Sequence, residues 1–236
     1  MKIETLPDAD SVARTAAAFT AAEARAAVAA RGRFIMAVSG GHTPWTMLRA
    51  LADEPMPWAD VHVVQVDERI APEGDADRNL RHLRESLLAH SPLAPDHVHA
   101  MPVESPDLEA ACERYALTLR QIAGTPAVLD LAHLGLGPDG HTASLVPGDP
   151  VLDIAGADVA LTDIYQGRCR MTLTYPLLNR SRRILWLVTG HEKADMLPRL
   201  HGGDRSIPAG RISREQTVVL ADDAAAAHLQ HQPSRR

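Results

Sequence analysis

"RFIMAVSGGHTPWTMLRALAD", residues 33–53, decides the fold. Phe34 to Val38 form an apolar run of strand length, and Ser39-Gly40-Gly41 forms a turn. Thr43-Pro44 is a helix start signal, with Thr43 as N-cap and the proline at the first helical position. Strand, glycine turn and helix make one unit of an α/β fold, and the unit recurs in both directions along the chain. Upstream, the alanine-rich stretch from Ala16 to Ala30 reads as a helix, because Val12, Phe19 and Ala26 are spaced among charged residues. Downstream, "VHVVQVDER" (61–69) is a strand followed by a loop, and "RNLRHLRESLLAH" (78–90) is a helix with Leu80, Leu83, Leu87 and Leu88 at helical spacing. "LEAACERYALTLRQIAG" (108–124) places Leu108, Cys112, Tyr115, Leu119 and Ile122 on one face and stops at Gly124.

"VLDLAHLGLG" (128–137) is a third buried strand, "RILWLVTG" (183–190) with "HEKADMLPRL" (191–200) is a later strand and helix, and "TVVLADDAAAAHL" (217–229) closes the chain in the same way. Near-continuous apolar strands alternating with amphipathic helices imply a Rossmann-like, mainly parallel sheet with helices on both faces. "VALTD" (159–163) and "RCRMTLTYPLL" (168–178) interrupt the alternation, so a small mixed or antiparallel addition is expected after residue 150. The sequence contains no linker and no internal repeat, and a single domain over residues 1–236 is expected.

Composition narrows the class. The 236 residues are 45% hydrophobic and 23% charged, with a formal net charge of −6. Without a basic excess, nucleic acid is not an expected partner, and an anionic ligand has to be held by a few placed cations and backbone N–H groups. Cys112 and Cys169 form no C-x-x-C pair, so neither a disulfide framework nor a zinc site is indicated, and reduced thiols in the cytoplasm fit best. The N-terminal residues carry early acids and no apolar core, unlike a secretory signal, and no segment approaches membrane-spanning length. No metal and no cofactor are expected.

Open α/β sheets bind ligands at the carboxyl ends of their strands. That rule selects four loops: Ser39–Thr43, Asp67–Asn79, Gly135–Pro147 and Gly190–Lys193. Gly40 and Gly41 lead into a helix N-terminus, which suits phosphate and equally suits a tight turn. His42 can reach such a phosphate or face water. Asp67, Glu68 and Arg69 follow a buried strand, either as a salt-bridged strand end or with Arg69 gripping phosphate or carboxylate. Lys193 reaches the same rim of the sheet or is an ordinary surface lysine. "GLGPDGHTASLVPG" (135–148) contains the G-x-G-x-x-G spacing of a dinucleotide loop. Pro147, Gly148 and Pro150 cut short the helix that loop requires, and Asp139 would place a negative charge against pyrophosphate. His141, on a glycine turn and two residues after Asp139, better suits an imidazole that moves protons near neutral pH.

Together "SGGHTP", "DER" with Asn79, "GLGPDGHTASLVPG", "RMTLTYPLLN" and "GHEKADML" resemble the 6-phosphogluconolactonase family in order and distance, over most of the chain. Glucosamine-6-phosphate deaminases of the same superfamily share the glycine turn and the Asp-Gly-His but continue as "GHIAFNEPG", whereas this chain reads "GHTASLVPG". Val146 stands where the lactonases usually carry Phe, "DRN" (77–79) replaces a common Ser-Asn pair, and "PAGRI" (208–212) lacks a serine and is assigned no role. The resemblance implies hydrolysis of 6-phospho-D-glucono-1,5-lactone in the oxidative pentose phosphate pathway. His141 would be the general base on water, and Asp139, or failing it Asp67, would orient its ring. Gly40, Gly41, Arg69 and Lys193 would hold the 6-phosphate, with His42, Thr43, Asp67 and Asn79 also in the binding loops. Arg170 would lie near the sugar, with Arg168 competing for that place. The partner implied is a small sugar-phosphate lactone, with no membrane and no nucleic acid, bound by a monomer or weak homodimer. The alternatives are a deaminase-like aldose–ketose isomerase, a non-catalytic sugar-phosphate sensor and a nicotinamide dehydrogenase.

Overall fold

The computed structural model describes residues 1–229; the end of the expected domain, 230–236, lies outside the described residues. The strands are β1 (Lys2–Leu6), β2 (Phe34–Val38), β3 (Val61–Gln65), β4 (Asp67–Arg69), β5 (Val98–His99), β6 (Leu131–Gly135), β7 (Val159–Leu161), β8 (Arg170–Leu173), β9 (Ile184–Val188) and β10 (Thr217–Asp222). The helices are α1 (Ala9–Arg31), α2 (His42–Leu51), α3 (Asn79–Leu83, continued by a π-helical turn over Arg84–Leu88), α4 (Leu108–Ala123), α5 (Tyr175–Asn179) and α6 (Met196–Gly202). Seven strands pair in parallel in the order β1-β10-β9-β6-β2-β3-β5, and β4-β8-β7 form a separate antiparallel sheet. The α/β fold and the small antiparallel addition are therefore as the sequence predicts.

Burial explains the apolar strands. Every residue of β2 is buried, and its side chains alternate between two cores: Phe34, Met36 and Val38 pack with α1 and α2, while Ile35 and Ala37 pack with α4 and α5 residues. Helix α1 starts on Asp8, whose carboxylate accepts the Ser11 N–H at 2.7 Å, and ends at Gly32 with φ +74°. On its inner face Ala13, Ala16, Ala17, Ala21 and Ala24 are fully buried, so small side chains bring this helix close to its neighbours.

Four expectations change. The chain has an additional edge strand, β1, which carries no continuous apolar run and pairs with β10 along one side only. Thr43 is not the N-cap of α2: the cap is Gly41, and among the described residues no side chain caps that end. "VHVVQVDER" is two strands: at Val66, whose N–H bonds Val38 C=O at 2.9 Å and whose C=O accepts from Leu173 N–H at 2.8 Å, the chain leaves the parallel sheet for the antiparallel one. After β10, residues 223–228 form turns, not a helix. Among the described residues, no helix is long and apolar enough to cross a membrane.

One polar residue of the core bears on pH. His133 in β6 is fully buried beneath the glycine turn, where Ser39 donates its N–H to Nδ1 at 3.3 Å and its hydroxyl to the His133 carbonyl at 2.9 Å. Burial pushes the imidazole down to about 4. The unfolded chain, titrating near the ordinary histidine value, takes up a proton between about pH 6.5 and 4 that the native state refuses, so native stability falls over that window. The stability of the wild-type protein relative to His133→Asn is expected to drop by roughly 3 kcal/mol on acidification from pH 6.5 to 4. Urea unfolding at a series of pH values measures it, and a pH-independent difference refutes it.

Candidate active site

A cavity of about 330 Å³ opens where the loops after β2, β6 and β9 meet the small sheet. Gly40, Gly41, His42 and Thr43 line one side; Asp67, Arg69, Asn79 and Arg170 line another; His141 and Lys193 complete it. The residues predicted from the sequence are in its wall, except Asp139, which touches the wall through His141, and the competing arginine Arg168.

The glycine turn serves a close approach. A methyl group on Gly40 would overlap the Asn79 carboxamide, so only glycine lets that side chain sit beneath the turn. Asn79 is a hub: its amide donates to the Asp67 carbonyl at 3.0 Å, and its oxygen accepts from Arg69 Nη1. Behind it lies Glu68, fully buried, which the sequence places only in a salt-bridged strand end. Its carboxylate accepts the backbone N–H groups of Arg69, Asn79 and Leu80, each at 2.8 Å, and so fixes both the arginine and the start of α3. The unusual Arg78 belongs to the same assembly. It is 3.1 Å from Glu68 and 2.7 Å from Glu104, and it donates to the Ala71 carbonyl. No signal in the sequence separates Glu68 from an exposed acid; its burial follows from the strand crossing at Val66.

Arg69 and Arg170 face each other as register partners on β4 and β8. Burial, then the Arg69 charge, holds the Arg170 guanidinium below the usual arginine range. Arg168, the competing arginine, is outside this cavity and pairs with Asp75 at 3.0 Å and Asp77 at 3.3 Å. Thr43 shares a 2.7 Å hydroxyl contact with Thr189, and His42 is exposed on the first turn of α2. The Lys193 side chain is largely buried, 3.7 Å from Glu192.

The imidazole of His141 is held from three directions. Nδ1 is 2.6 Å from Asp139 Oδ1, which also accepts the His141 backbone N–H at 3.1 Å. Gly137 passes directly beneath, where a methyl group would collide with Nδ1. Gly140, at φ +84°, lies against Ile207, and its carbonyl accepts the Ala209 N–H at 2.9 Å. "PAGRI", unassigned in the sequence, is thus the buttress of the histidine turn. Asp139 is partly buried, which alone would raise its pKa, yet the His141 N–H and ring hold the carboxyl below the usual range. Asp67 is not a substitute partner for the ring: its carboxylate accepts the Ser144 hydroxyl at 2.6 Å. After Gly140 the chain makes turns and a Thr142–Leu145 bridge, without the helix a dinucleotide loop needs.

A histidine oriented by a carboxylate beside grouped cations suits proton transfer on an anionic substrate. The family described as glucosamine-6-phosphate isomerases/6-phosphogluconolactonase matches residues 7–220. The chain belongs to that family. It is 36% identical to the 6-phosphogluconolactonase of Mycobacterium tuberculosis, over 96% of this chain and 98% of the relative. Identity to the 6-phosphogluconolactonase of Synechocystis sp. is 34%, over 86% and 88%. The crystal structure of 6-phosphogluconolactonase from Thermotoga maritima superposes with a TM-score of 0.83 at 28% identity, over 94% and 98% of the two chains. A monomeric glucosamine-6-phosphate deaminase reaches a TM-score of 0.82 at 21% identity, which shows a common fold. Within its family, the chain is an enzyme of the 6-phosphogluconolactonase kind.

Gly137→Ala tests the cradle under the imidazole. The methyl group should displace the ring from Asp139, so ¹⁵N NMR of the His141 imidazole is expected to show an Nδ1-protonated form in the wild type and its loss in the variant. A variant with an unchanged imidazole spectrum would contradict the packing argument.

Proposed function

We propose that this protein hydrolyses 6-phospho-D-glucono-1,5-lactone to 6-phosphogluconate, with His141 as general base. The observation that carries the reading is a single cavity shared by a carboxylate-held imidazole, the Gly40–Gly41 turn and the cations Arg69, Arg170 and Lys193. The reaction belongs to the oxidative pentose phosphate pathway, and the two free cysteines are compatible with the cytoplasm.

The chemistry follows from the groups present. With its Nδ1 proton on Asp139, the His141 ring offers Nε2 as base. It removes a proton from water as the water oxygen attacks C1 of the lactone. The tetrahedral intermediate then collapses, the bond from C1 to the ring oxygen breaks, and the imidazolium returns the proton to that oxygen. Asp139 compensates the transient positive charge on the ring and keeps its tautomer. At the other end, Arg69, Arg170 and Lys193 supply charge for the 6-phosphate, and the uncapped N–H groups of α2 add backbone donors. Binding the distant phosphate holds the ester carbonyl beside the base, so a substrate that already opens slowly in water needs positioning and one proton carrier.

The test is acid release from freshly prepared 6-phosphogluconolactone above the uncatalysed background, with the unphosphorylated lactone as control. His141→Ala is expected to lower kcat by about 10²–10⁴-fold with little change in KM. Near-wild-type turnover would remove the proton role. Arg69→Ala is expected to raise KM for the phosphorylated lactone by about tenfold or more, since a charge-assisted contact is lost. An unchanged KM would exclude Arg69 from the phosphate site. Ammonia release from glucosamine 6-phosphate would instead favour the deaminase alternative.

A further inference from the structure

Tyr165 belongs to no motif used above, yet it joins the two halves of the site. It lies at the tip of the β7–β8 hairpin, where Gln166 (φ +52°) and Gly167 (φ +81°) make the turn. Tyr165 N–H donates to the Arg168 carbonyl at 3.0 Å, and Arg168 N–H donates back at 3.3 Å. Two positive φ angles in a two-residue turn match the twist of paired strands, so the tip has one register.

The side chain makes four contacts. Its hydroxyl donates to Asp139 Oδ2 at 3.2 Å and accepts the Gln166 carboxamide N–H at 3.4 Å. Its ring meets the His141 imidazole edge to face, with centroids 5.6 Å apart at 65°. The Arg170 guanidinium carbon lies 4.9 Å from the ring centroid. Asp139 therefore has one oxygen on the imidazole and the other on the phenol, which removes its freedom to rotate about the carboxylate axis. Burial and the Asp139 charge push the phenol above its usual range, so it stays a donor at neutral pH. Gln166 and Arg170 line the cavity, whereas Tyr165 does not.

We propose that Tyr165 is a positioning residue for the hydrolysis: through Asp139 it fixes the His141 ring, and through Arg170 it ties that ring to the anion-binding wall. The inference rests on the lactonase reading above. It separates into two contributions. The hydroxyl acts on the proton-transfer pair and so on kcat. The ring acts on the Arg170 guanidinium and so on KM.

Steady-state kinetics on folded variants, checked by thermal unfolding, tests it. Tyr165→Phe keeps the ring and is expected to lower kcat about tenfold with KM within about twofold. Tyr165→Ala is expected to show the same kcat loss and a severalfold rise in KM. In an Asp139→Asn background, Tyr165→Phe is expected to have no further effect on kcat, because the hydroxyl reaches the imidazole through that carboxylate. Wild-type kcat in Tyr165→Phe, a loss confined to KM, or a full loss persisting in Asp139→Asn would each overturn the proposal. Wild-type protein that fails to hydrolyse the lactone at all would overturn the underlying reading instead, so the two failures are distinguishable.

Discussion

The buried carboxylate of Glu68 is the constraint on which the site depends. It is fully buried at the point where the chain passes from the parallel to the antiparallel sheet. One oxygen accepts the N–H groups of Arg69 and Asn79, and the other accepts the Gln65 carboxamide and the Leu80 N–H while facing Arg78 at 3.1 Å. Gln65 closes β3 of the main sheet, Arg69 belongs to the small sheet, and Leu80 to the first turn of α3. A charge taken from water is tolerated only when its hydrogen-bonding capacity is filled in this way. Its partners are consequently locked to one another, and Asn79 beneath Gly40 and Arg69 in the cavity wall inherit that rigidity.

The fold was largely legible because its strongest signals are local. Strands buried on both faces read as unbroken apolar runs, and in β2 the alternation between two cores leaves no polar position. Legibility fails where pairing, not pattern, makes the element. β1 is half-exposed and exists because β10 offers it an edge. β4 has three residues and looks like a loop until β8 lies beside it. The helix start near residue 43 is displaced because Thr43 spends its hydroxyl on Thr189, 146 positions away in sequence, and leaves the cap to Gly41.

Much of the site was legible for a different reason. Gly40, Gly137 and Gly140 are required by close approach to Asn79, His141 and Ile207, and such glycines mark turns that a linear reading can find. The side chains that position the first set were not legible. Glu68 is indistinguishable in sequence from an exposed acid, the 208–212 segment acts through a backbone N–H, and Tyr165 reaches Asp139 only because its hairpin folds over the histidine turn. Arg168 and Arg170 are two residues apart, the first closing the hairpin turn and the second opening β8, and only placement distinguishes them.

That placement carries the electrostatic argument. Arg168 is neutralised by Asp75 and Asp77, and Arg78 by Glu68 and Glu104, while among the described residues neither Arg69 nor Arg170 has a carboxylate at ion-pair distance. Like charges opposed across a strand pair are unfavourable, and among the described residues the buried Arg170 Nε has no hydrogen-bond partner. Direct ion pairing is thus withheld at the two positions facing the cavity, where the carboxylate in the same wall, Asp67, is engaged by the Ser144 hydroxyl, in a protein whose net charge of −6 gives anions no general attraction. In the proposed reaction a phosphate group supplies the missing charge. The relief of repulsion between the two guanidiniums then adds to its binding, at the end of the substrate remote from His141. Interaction energy realised there can be spent on holding an uncharged ester carbonyl against the base, which a site with pre-neutralised arginines could not do.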